Sequence, residues 1–228
     1  MLLITIIVTR FKKINMHIPD GFVDLKTAVA TGVLSAGGLA GAIYGVKRYF
    51  KARVIAMMGV MSALIFALQM INFTIPGGTS GHLLGGALAA IILGPHAGVI
   101  VISVVLIVQA LVFMDGGIVA LGSNIFNMAV VGVYGSFLIY WLLCKISRSR
   151  WMFLFAVGIA SWLSVVAASF FAAFELGISG TYALGITIKA MSGVYAVIGL
   201  GEAAITIAVI TFINRVRPGL ILTRNGGL

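Results

Sequence analysis

The chain has 228 residues, 61% of them hydrophobic and only 9% charged. A soluble domain is about 25% charged, so 15 basic and 5 acidic side chains cannot solvate a surface of this size. Soluble enzyme, secreted scaffold and disordered regulator are excluded, which leaves an all-α polytopic membrane protein. The net charge of +10 would point to nucleic acid in a soluble protein. Here it lies in short clusters between apolar runs, and no nucleic-acid partner is expected. Cys144 is the single cysteine, so it forms no internal disulfide. The 29 glycines suit helix backbones that approach closely within lipid.

In chain order, residues 1–15 carry one apolar stretch, Leu2 to Val8. It is too short to span a bilayer, and no small-residue cleavage site follows it. A second methionine, Met16, stands where the patterned sequence begins. We read 1–15 as a leader foreign to the native protein, whose first residue is then Met16, and 16–228 as one membrane domain. A helix needs about 20 apolar residues to cross a hydrocarbon layer of ~30 Å. The first span expected is Leu25 to Val46, with Asp24 as its cap. Its series Ala36, Gly37, Ala40, Gly41, Gly45 gives the helix a smooth face, for internal packing or for a partner subunit.

The second span expected is Val54 to Phe73, with Met57, Met58 and Met61 in the core. The long apolar stretch Leu83 to Phe113 is broken at Gly94-Pro95-His96, because proline removes a backbone donor and clashes inside a helix. Its first part, from about Ser80 to Leu93, has 14 residues and reaches roughly 21 Å. That is short of a crossing. Spans at Ile125 to Cys144, Trp151 to Phe174 and Met191 to Ile213 bring the expected total to seven helices, with the termini on opposite faces.

Lys47, Arg48, Lys51 and Arg53 fill one gap between spans, Lys145, Arg148 and Arg150 another, and Arg215, Arg217 and Arg224 close the chain. Clusters of this kind mark cytoplasmic loops. Placing them inside puts the carboxyl end in the cytoplasm and the amino end outside, with 10 basic residues inside against 5 outside (Arg10, Lys12, Lys13, Lys26, Lys189). Four segments then share the outer face: Met16 to Gly21, Pro76 to His82, Asp115 to Asn124, and Glu175 to Gly185. They hold His17 and His82 with Asp20, Asp115 and Glu175. His96 falls in the opposite turn and is set aside.

If Met16 is the first residue, its amine, the deprotonated amide nitrogen of His17 and the His17 Nδ1 can close two small chelate rings around one ion. His82 can supply a fourth nitrogen. Four coplanar nitrogens suit Ni(II) or Cu(II) and suit tetrahedral Zn(II) poorly. Placed in the first turn of its helix, His82 would be kept neutral by the macrodipole. Asp20, Thr79, Ser80, Asp115, Asn124 and Asn127 are candidate outer partners of the imidazoles. The plainer reading is that each histidine is a solvated or hydrogen-bonded surface side chain and that the glycine-rich loops are turns. Glu202, inside the last span, is either a functional intramembrane carboxylate or a structural hydrogen-bond partner for a neighbouring helix.

Three groups of residues together resemble a known family. They are Met16-His17-Ile18-Pro19-Asp20-Gly21; Pro76-Gly77-Gly78-Thr79-Ser80-Gly81-His82-Leu83-Leu84-Gly85-Gly86; and Asp115-Gly116-Gly117 with Ala120-Leu121-Gly122, Asn124 and Asn127-Met128-Ala129. They look like the substrate-specific component of energy-coupling-factor nickel and cobalt transporters, the NikM/CbiM family, and the Ile-Pro-Asp-Gly continuation is more similar to the nickel branch. The resemblance covers Met16 to about Val216. It implies seven transmembrane helices in a prokaryotic cytoplasmic membrane, with the amino terminus tucked inward to hold transported Ni2+ or Co2+. The Met16 amine, the His17 amide and imidazole, and His82 would be the ligands. Tyr195 stands near a place where relatives often carry histidine.

The chain has no Gly-x-x-x-x-Gly-Lys-[Ser/Thr] loop and so no ATP site of its own. The resemblance implies partners: a transmembrane coupling subunit, two ATPase subunits and a small accessory membrane subunit. Ala36, Ala40 and Gly41 become the candidate docking face. The rival reading is a solitary cation carrier or channel using Glu202. An intramembrane metalloprotease would need a His-Glu-x-x-His cluster, which the sequence lacks.

Overall fold

A computed structural model describes residues 16–49, 51–71, 73–75, 79–147 and 149–223, with the backbone alone for 73–75, 79 and 80. Asp24 caps the first helix, α1 (Leu25–Val46), by accepting from the Thr27 backbone N–H at 3.0 Å. This satisfies one of the donors that a helix start leaves free. After α2 (Ala52–Met70) come two three-residue strands, β1 (Phe73–Ile75) and β2 (Thr79–Gly81). They pair antiparallel with Phe73 opposite Gly81. Next are α3 (Gly86–Leu93), α4 (Pro95–Val112) and α5 (Leu121–Ile146), the last more widely wound over Ile125–Tyr134. Two long helices, α6 (Arg150–Ile178) and α7 (Leu184–Val216), pack along each other and end in a short turn, Pro218–Leu220.

Six of the described helices are long and apolar enough to cross a membrane: α1, α2, α4, α5, α6 and α7. The exception is α3. It begins six residues later than the sequence suggests, because the chain ahead of it is diverted. Residues 79–81 pair into the ribbon, and Gly85 takes a left-handed φ of +74° that favours glycine. The backbone N–H groups of Leu84 and Gly85 both donate to the Glu202 carboxylate, the second at 2.7 Å. His82 therefore lies in an extended link before the helix and not in its first turn, so the helix dipole does not act on it as expected.

Every residue of α3 is buried. A short helix that is apolar on all sides can sit only in the middle of a bundle, and α3 packs against α4, α5 and α6. The outer helices show the reverse pattern: Leu25, Val33, Val60, Leu111, Phe155, Val197 and Phe212 are exposed, as a lipid-facing belt requires. Pro95 opens α4 at a first-turn position, where its missing N–H does no harm.

The two ends of the bundle differ in charge. Lys47, Arg48, Lys51, Arg53, Lys145, Arg150, Arg215 and Arg217 lie at the end where α1, α5 and α7 finish. There Arg53 donates to the Gly219 carbonyl at 2.9 Å, and His96 meets the Tyr134 hydroxyl at 3.1 Å. Asp20, Asp24, Asp115 and Glu175 lie at the other end.

Candidate metal centre

The segment 16–23 runs over the acidic end and is sewn down residue by residue. Asn124, in the first turn of α5, accepts from Ile18 N–H at 2.8 Å and donates back to the Ile18 carbonyl at 3.1 Å. Gly117 N–H donates to the same carbonyl at 2.9 Å. Two residues on, the Asp20 carboxylate accepts from Ile118, Val119 and Ala120 N–H at 3.0, 2.7 and 3.2 Å. Gly117 has to be glycine here, since a Cβ would stand 2.2 Å from Asp20 Oδ1. Thr181 donates to the Phe22 carbonyl, which ties the α6–α7 turn to the segment.

This stitching drives Met16 and His17 into the protein, where they are 0% and 2% exposed. His82, 5% exposed, meets them from the β2–α3 link, and the two imidazole centroids are 4.5 Å apart at 53°. Neutral imidazoles can share so small a volume; two imidazolium ions would repel. Burial, followed by the neighbouring His17, pushes the His82 pKa down to about 4, so the ring is neutral near pH 7. His82 Nδ1 contacts the Leu83 carbonyl at 2.9 Å, leaving Nε2 without a hydrogen-bond partner. On His17, Nε2 has no hydrogen-bond partner either. Nδ1 lies 3.1 Å from Asp115 Oδ1 but off the line of a hydrogen bond. The contact with His17 holds the Asp115 carboxyl below its usual pKa, keeping an anion beside the pair.

Two buried ring nitrogens without partners, Nε2 of His17 and Nε2 of His82, are costly unless a ligand completes them. Among the described residues no three His, Cys, Asp or Glu side chains group closely enough to hold a metal ion. Two imidazoles and the Asp115 carboxylate are the ligating side chains brought together here.

Of the candidate outer partners, Asp115 stands beside His17, whereas Asp20 and Asn124 are used up on backbone. Asn127 donates to Glu175 at 3.0 Å, away from the imidazoles. The side chains of Thr79 and Ser80 lie outside the described residues, as do 1–15 and Pro76 to Gly78. Tyr195 was not among the candidates. It is buried in α7, its hydroxyl turned to the Met16 backbone. The signal for it is the stripe Met191, Tyr195, Ile198, Glu202, Thr206 on one face of α7, which marks that face as inward.

Residues 17–220 match the family described as "Cobalt uptake substrate-specific transmembrane region". The chain belongs to this family. A relative within it, from Archaeoglobus fulgidus and named "Putative fused nickel transport protein NikMN", is 43% identical over 208 residues, which cover 90% of this chain and 68% of that one. The fused nickel transport protein NikMN of Rhodobacter capsulatus is 32% identical, over 92% of this chain and 65% of its own. A solved structure titled as a transition metal transporter superposes with a TM-score of 0.82 at 33% identity, covering 88% of this chain and 93% of that chain. Family membership and the six apolar helices make this a multi-pass membrane protein.

Proposed function

We propose that this protein captures a divalent transition metal ion, Ni2+ first and Co2+ next, at the acidic end of the bundle. It takes the ion up across a prokaryotic cytoplasmic membrane as the substrate-specific component of an energy-coupling-factor transporter. The observation that carries this reading is the buried pair His17 and His82, 4.5 Å apart between ring centroids, with the Nε2 of each ring unpartnered. With Met16 as first residue, its amine, the deprotonated His17 amide nitrogen, the His17 Nδ1 and a His82 nitrogen form a planar set suited to Ni(II). The names borne by the relatives support metal transport.

The protein itself performs no hydrolysis in this reading. ATP is split by two partner ATPase subunits acting through a transmembrane coupling subunit, with a small accessory membrane subunit alongside. Ala36, Ala40 and Gly41 are exposed on α1 and offer the coupling subunit a smooth face. The basic end faces the cytoplasm by the positive-inside rule, so the metal centre faces out. Glu202 is less suited to a solitary carrier, because both its oxygens accept from backbone at the start of α3.

Calorimetric titration with Ni2+ tests the site. A chain beginning at Met16 binds the ion at least as well as the 228-residue chain, and His82→Ala abolishes binding. Undiminished affinity in His82→Ala refutes the ligand set.

A further inference from the structure

Tyr195 has no role in the reading above, yet it belongs to the same chamber. It is 1% exposed, and its hydroxyl completes no hydrogen bond. The Met16 backbone N–H faces that hydroxyl without completing a hydrogen bond, and Asp115 is within electrostatic reach of it. The ring edge lies against Gly81, the neighbour of His82: a Cβ there would meet Ile198 Cδ1 first, at 2.1 Å, and stand in van der Waals contact with Tyr195 Cε1 at 3.4 Å. The phenol thus touches both halves of the centre, the amino-terminal segment and the β2–α3 link.

A buried hydroxyl without a partner is costly, which points to a partner completed only when the ion is present. An amine that gives its lone pair to a metal keeps its hydrogens and becomes a stronger donor. It then needs an acceptor on the side away from the ion, and a phenol oxygen is one. A peptide nitrogen in the same place has a single N–H and must lose it before it can bind the ion, so no hydrogen remains for the phenol. We propose that Tyr195 is a positioning residue of the metal centre: its hydroxyl accepts from the Met16 nitrogen and so aims that nitrogen's lone pair at the ion. This rests on the metal-capture reading above and adds a selection for a free amine at Met16.

The test folds the full chain with a specific protease site placed just before Met16, then compares uncut and cut protein, each with Tyr195 and with Tyr195→Phe. The readouts are Ni2+ affinity, the absorption band of bound nickel at saturation, and the thermal midpoint of the metal-free protein. In cut protein, Tyr195→Phe weakens Ni2+ binding about five- to tenfold, as loss of one neutral hydrogen bond does. It also shifts the nickel band and leaves the metal-free midpoint unchanged. In uncut protein it alters neither affinity nor band. Equal losses in both forms, a loss that follows a fall in the metal-free midpoint, or no loss in cut protein overturns the proposal. If cut protein with Tyr195 binds no nickel, or His82→Ala binds as well, it is the metal-capture reading that fails, and the role of Tyr195 fails with it.

Discussion

Asn124 treats Ile18 as a neighbouring strand would, taking its N–H and returning a hydrogen to its carbonyl. With Asp20 on the amides of 118–120, it fixes the segment that carries His17. His17 is therefore positioned by side-chain-to-backbone pairing one and three residues away from it. Gly117 is the point where that pairing is most easily broken. Gly117→Ala would put a methyl 2.2 Å from Asp20 Oδ1 and 2.4 Å from its backbone nitrogen. Overpacking of this kind costs about 1–3 kcal/mol. Relief lies in lifting the segment, so Ni2+ affinity falls roughly ten- to a hundredfold while the helical circular dichroism is unchanged. His17 and His82 were legible in the sequence because imidazoles are scarce here and both fall in loops of one face. The use of Asn124 and Asp20 was not, since a polar side chain in a loop gives no sign of whether it will meet a ring nitrogen or a distant amide.

Between elements, the decisive contact is the one from Glu202 to the start of α3. The Leu84 and Gly85 N–H groups point into a dry bundle, where each would cost about 1–3 kcal/mol if unpaired, and a carboxylate on α7 accepts both. Glu202→Gln keeps one acceptor and turns an NH2 toward the other N–H. It lowers the thermal midpoint by the equivalent of about 1–3 kcal/mol, and differential scanning calorimetry measures this directly. A midpoint unchanged, with proton-driven cation uptake lost in liposomes, would instead favour the solitary carrier. Pro95 made the break between α3 and α4 legible, and apolar length did the same for the six crossing helices. The true start of α3 was hidden, because Glu202 is remote in sequence and local propensity says nothing of a cap brought in by tertiary folding.

At the scale of the whole molecule, charge and apolarity divide the surface into three zones: a basic end, a lipid belt and an acidic end that holds the two imidazoles. Composition alone foretold the belt, and the basic clusters foretold the end. Within the belt, α1 turns Thr31 and Ser35 inward, to Ser123 and to the Gly122 carbonyl, and leaves Ala36, Ala40 and Gly41 facing out. Ala40→Trp adds bulk where nothing inside the chain is touched. Ni2+ affinity then stays within about twofold of the unsubstituted protein, and ATP-driven uptake in membranes containing the partner subunits is lost. Equal uptake would remove this face from the docking surface.

The central claim is that the start of the chain and one remote imidazole together grip the ion. Anomalous diffraction from nickel-loaded crystals of protein beginning at Met16 tests it most directly. The account predicts one strong peak among Met16, His17 and His82, with nitrogens in a plane around it. A peak elsewhere, or a tetrahedral set of ligands, would contradict it.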